Sequence, residues 1–179
     1  MTQRLIDWID ACSEWLCKIV MWLSTGMMLI TAYNVTERYL FGHNTTFLIE
    51  LNWHFYSLIF LLGASYTFKH DGHVRVDLLY HKMSPRGKAW VNLLGSLLFL
   101  LPFCAVVVYA SLSSTRGFDF SMVGLSWRTL EGSSDPGGLP ARYLLKSALP
   151  LGFVLLGLQG IAEILRNALF LKQKSTVAR

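Results

Sequence analysis

"IELNWHFYSLIFLLGASYTFKHDGHVRVDLLY", residues 49–80, changes character partway along. From Leu51 to Phe68, 18 residues pass without a formal charge, and His54 is the one imidazole among them. Lys69, Asp71, Arg75 and Asp77 then follow within nine residues. A helix that crosses a bilayer needs roughly 17–25 mostly apolar residues. The uncharged part has that length, and the charged part reads as the loop where the chain returns to water.

The same test works outward in both directions. Ile19–Thr36 is uncharged for 18 residues, Trp90–Thr115 for 26 and Ser147–Ala162 for 16. Only 15% of the chain is charged and 53% is apolar, whereas soluble chains carry about 25% charge. Four apolar runs in 179 residues leave little room for a soluble core. The expected fold is an all-α integral membrane protein, a single membrane domain over 1–179, with spans near 18–39, 48–69, 86–113 and 141–171 and a long loop over 113–140. The mixed charges before Ile19, and the lack of a small-residue cleavage site after Thr36, predict that the first helix is retained.

Short cytoplasmic loops are rich in Lys and Arg. Four spans place both termini and the 69–88 loop on one side, and these segments hold eleven of the sixteen basic residues. Both termini are therefore expected to be cytoplasmic. The net charge of +5 is met by an inner rim facing anionic lipid, and no nucleic-acid partner is expected.

Residues 3–17 form an amphipathic helix, with Leu5, Trp8, Cys12 and Trp15 on one face and Gln3, Asp7, Asp10 and Glu14 on the other. The favoured reading lays it in the membrane interface with its tryptophans among the headgroups. The alternative is an extension of the first span packed against a neighbour. Between spans two and three, Asp77 is expected to cap a short cytoplasmic helix over 78–83, and Ser84-Pro85 reads as cap and first residue of the third span. Pro102 is expected to bend or open that span. The Gly, Ser, Asp and Pro content of 126–140 predicts ordered turns rather than helix. Pro140 is expected near the start of the last helix, which is interrupted at Pro150.

Glu50 and His54 lie one turn apart at the edge of the second span, so His54 is expected to donate to the carboxylate. The pair is read as fixing the helix against a partner, with an ion relay as the alternative. Gln159 is a candidate for hydrogen bonding between helices, and Glu163 with Arg166 for a local ion pair. His73, Asp77 and His81 are spaced by four, but the preceding Gly72 turn argues against a rigid metal site. Cys12, Cys17 and Cys104 show no CxxC or zinc spacing. No GxxxxGK, CxxCH, HExxH or GxSxG occurs, so neither enzymatic activity nor a cofactor is expected.

Two segments with the four-span layout carry a resemblance: residues 49–80, above all "GHVRVDLLY", and "EGSSDPGGLPARYLLKSALPLGFVLLGLQG" at 131–160. Together they resemble the small membrane subunit, the Q subunit, of tripartite ATP-independent periplasmic (TRAP) transporters, over roughly residues 10–170. The resemblance implies a bacterial inner-membrane protein with 113–140 in the periplasm. It implies two protein partners, a large multi-span subunit and a periplasmic substrate-binding protein, alongside membrane lipids. It also implies sodium-driven uptake of an organic acid, with substrate and sodium held by the large subunit and the small one anchoring its scaffold. Glu50, His54, Arg75, Asp77, Gln159 and Glu163 then serve as structural or interface residues. The alternative from another class is a self-assembling small channel or carrier.

Overall fold

The computed structural model describes residues 2–43, 45–70, 72, 80, 83–112 and 122–177. All regular structure among them is helical: α1 (Thr2–Phe41), α2 (Thr46–Lys69), α3 (Pro85–Gly95), a π turn (Ser96–Leu100), α4 (Leu101–Leu112), α5 (Met122–Thr129) and α6 (Arg142–Val177). Four stretches are long and apolar enough to cross a membrane: α1, α2, the continuous Pro85–Leu112 and the Arg142–Lys172 part of α6. The short helix expected over 78–83 falls largely outside the described residues.

Helix α6 is central. It packs against every other helix, while α1 packs against α2 and α6. Over its most apolar window 39% of residues are buried, against 6–11% for the other three. Close approach makes this possible: a Cβ on Gly152 would stand 2.9 Å from the Leu61 carbonyl oxygen of α2. The remaining apolar surface faces outward, as a helix face meant for lipid or a membrane partner must.

The helix starts and stops follow local chemistry. The Ser84 hydroxyl accepts the Gly87 N–H at 3.2 Å, with Pro85 as the first helical residue. Pro102 removes a backbone donor, and the chain answers one turn earlier with the π turn, where the Leu101 N–H reaches back to the Ser96 carbonyl. Helix continues on both sides, so the span is locally widened and not broken.

Three expectations need correction. The N-terminal amphipathic segment is not a separate helix in the interface plane, because α1 runs unbroken from Thr2 to Phe41. Its inward face is Ile6, Ile9 and Ser13, packed on Ala162, Leu158 and Leu165 of α6, while Leu5, Trp8 and Trp15 point outward. Residues 126–129 belong to α5 rather than to turns. The last helix starts at Arg142, close to Pro140 as expected, but passes through the buried Pro150 without interruption. Packed neighbours tolerate the one lost hydrogen bond there.

Candidate functional site

Polar side chains gather in two clusters at opposite ends of the helices. At the end shared by the α1 N-terminus and the α6 C-terminus, Asp10 is the hub. Its Oδ1 accepts the Gln159 amide at 2.9 Å and its Oδ2 meets Arg166 Nη2 at 2.9 Å. Gln159, fully buried, accepts the Ser13 hydroxyl at 3.0 Å through its other atom. Arg166 Nη1 lies 2.8 Å from Glu163 Oε2. The other Glu163 oxygen accepts the amides of Asn167 at 2.7 Å and Asn92 at 3.5 Å, and Asn92 accepts the Tyr80 hydroxyl at 3.1 Å. A single polar chain thus joins α1, α3 and α6. Beside it Glu14 receives Lys69 at 2.8 Å and His70 at 3.0 Å, tying the end of α2 to α1.

At the other end the loop between α5 and α6 folds over Glu50. One carboxylate oxygen accepts the Ser133 hydroxyl and the other the Leu139 N–H at 2.7 Å. The Ser133 N–H closes the loop on the Leu139 carbonyl at 2.9 Å. Next to it Lys146 meets Glu131 Oε2 at 2.5 Å and Ser126 donates to the same oxygen at 2.6 Å, while the Trp127 indole N–H donates to Ser147 at 2.6 Å. Lys146, then Ser126, hold the Glu131 carboxyl below its ordinary range.

These contacts place the sequence candidates as follows. Glu50 is nearly buried, but its carboxylate engages the 133–139 loop and not His54. His54 Nδ1 instead pairs with the Glu50 backbone oxygen at 2.7 Å, and its Nε2 is buried without a partner among the described residues. The loop offers a hydroxyl and a backbone N–H at once, which outcompetes a single imidazole donor. Gln159 and Glu163 share the Asp10 cluster, and Glu163 pairs with Arg166. Arg75 and Asp77 lie outside the described residues, as do His73 and His81. Among the described residues no set of His, Cys, Asp or Glu is arranged to hold a metal.

Sequence reasoning missed Asp10 and Ser133. Asp10 was placed only on the face opposite the tryptophans, and its partners are 149 and 156 residues away. Its signal is visible only once α1 is known to run alongside α6. Ser133 sits in a Gly- and Ser-rich run whose fold depends on a carboxylate 83 residues earlier.

The geometry defines a class: a helical membrane component whose polar groups fasten its helices at both ends and leave the middle apolar. A family model described as tripartite ATP-independent periplasmic transporters, DctQ component, matches residues 27–170, and the chain belongs to that family. It is a small component of a TRAP transporter. No curated protein matches the chain in sequence.

Proposed function

We propose that the chain is the small permease subunit of a sodium-driven tripartite transporter for an organic acid, and that it anchors and enlarges the stationary scaffold of the large membrane subunit. Both termini are cytoplasmic and the α5–α6 loop is periplasmic, as the distribution of Lys and Arg indicates. On this reading the two polar clusters are structural: they hold four helices at set positions while the partner's substrate-bearing part moves. Transport chemistry and ion binding stay with the large subunit.

The observation that carries this reading is the outward face of α1. Trp8, Trp15 and Trp22 are 67%, 62% and 77% exposed, and they recur every seven residues along one stripe. Fourteen residues of helix span about 21 Å. The interfacial zone on either side of a bilayer is only about 5–8 Å deep, so a crossing helix does not hold all three indoles among headgroups. A seven-residue repeat of large side chains is the pattern a partner helix packs against.

The test is capture of the tagged chain from native membranes in mild detergent, with intact-mass analysis. The expected species holds one copy of this chain and one larger multi-span subunit. Replacing Trp8 and Trp15 by Ala lowers recovery of the large subunit. A homo-oligomer of this chain alone overturns the reading and promotes a self-assembled channel.

A further inference from the structure

A cavity of about 760 Å³ opens on the outside of the bundle where α2, α3, the π turn, α4 and α6 meet. Its polarity is graded. Tyr80, Asn92 and Glu163 line one end beside Phe68, Met83 and Val91, while Phe99, Leu100 and Phe103 line the other. Two local features keep it open. The π turn swells the helix at Ser96–Leu100, and Gly95 leaves a gap in which an added Cβ would meet no atom within 4 Å.

The gradient matches the dimensions of one leaflet. Helix α3 begins at Pro85 and presents the Trp90 indole outward, 53% exposed, which is where interfacial tryptophans sit. From Asn92 to Phe103 the helix runs about 16 Å at 1.5 Å per residue, close to the roughly 15 Å of a single leaflet's hydrocarbon. The polar end of the cavity therefore lies at headgroup depth and its aromatic end near the bilayer centre. At the mouth the Lys88 ammonium stands 5.1 Å above the Tyr80 ring, so a fixed positive charge tops an apolar slot. The Glu163 carboxylate on the same rim is engaged by Arg166 at 2.8 Å, a guanidinium it shares with Asp10, and by the amides of Asn92 and Asn167.

We propose that this cavity is a binding site for one anionic glycerophospholipid, its phosphate at Lys88 and one acyl chain laid along Gly95, Phe99 and Phe103. A partner helix would not need a groove with a cation beside its polar end and aromatic side chains one leaflet deeper. A phospholipid has that gradient built in. The site is independent of the scaffold role, since it lies on α3 and α4 and uses none of the α1 tryptophans.

The test uses the full chain in nanodiscs containing phosphatidylglycerol or phosphatidylethanolamine with a photoreactive group in the acyl chain, and maps adducts by mass spectrometry. The expected result is adduct formation concentrated at Phe99 and Phe103 over Phe60 and Leu29, which are comparably exposed but lie outside the cavity, and stronger with phosphatidylglycerol. Lys88→Gln reduces the phosphatidylglycerol adduct by about fivefold, the contribution of one lysine near an anionic surface. Gly95→Leu, which fills the slot, removes the concentration with either lipid. Val91→Trp narrows the same slot and replaces Gly95→Leu if that variant fails to fold. Labelling at Phe99 and Phe103 no denser than at Phe60 and Leu29, or unchanged by the filling variants, overturns the site. So does a Gly95→Cys variant that cross-links to the large subunit in native membranes.

Discussion

Gly138 shows how much a single missing side chain determines here. A Cβ at that position would overlap the Ser133 side chain and stand 2.7 Å from Glu50 Oε2. The loop can reach the carboxylate only because nothing projects there. Gly138→Ala is expected to destabilise the protein by about 1–3 kcal/mol, the usual cost of overpacking a tight site. Gly124→Ala is the control: it lies in α5, its Cβ would meet no atom within 4 Å, and Gly in a helix interior gives up about 0.5–1 kcal/mol relative to Ala. Thermal unfolding in detergent should separate the two in opposite directions. Glu131 adds a pH dependence. Its folded pKa lies below the ordinary 4.5 because Lys146 and Ser126 donate to the carboxylate. The unfolded chain therefore takes up the proton first as pH falls. The stabilisation is present in full above about the ordinary value and is lost below it, as pH drops through the depressed folded pKa. Trp127 fluorescence should report this acid transition, and Glu131→Gln should remove that component.

At the scale of helices, the contact between α1 and α6 rests on a polar hub flanked by small and aliphatic side chains. Asp10→Ala leaves the fully buried Gln159 amide without its acceptor. That is expected to cost about 1–3 kcal/mol. Combining Asp10→Ala with Gln159→Met removes both partners, and the pair should cost less than the sum of the two single changes in a double-mutant cycle. The four long helices were legible in the sequence because span length is set by bilayer thickness, a constraint that acts on each run separately. The Ser84-Pro85 start was legible for the same reason: capping is local. The facing of α1 was not. Spacing separates the tryptophans from the carboxylates but does not say which side meets another helix, and α1 puts Ile6, Ile9 and Ser13 inward while its indoles face out. Glu50 was legible as a carboxylate at the edge of a span, but its partners were not. Helical spacing pointed to His54, and the loop that binds the carboxylate returns from 83 residues further on.

For the molecule as a whole, two ends are fastened by charged and polar side chains, and the surface between them is given to apolar contact. If both termini are cytoplasmic, cysteine labelling from the periplasmic side should modify Ser133→Cys in intact cells and leave Ser84→Cys unmodified until the membrane is opened. Labelling of both from one side contradicts that orientation. The reading as a scaffold places no ion or substrate group in this chain. Its most direct test is uptake into proteoliposomes of the organic acid carried by the binding protein, under an imposed sodium gradient, with each component omitted in turn. Sodium-dependent uptake is expected only when this chain, the large subunit and the binding protein are all present, and Glu50→Gln should lower the yield of assembled complex without changing the sodium dependence of what remains. Uptake or conduction by this chain alone, or an altered sodium dependence in Glu50→Gln at full complex yield, would contradict it.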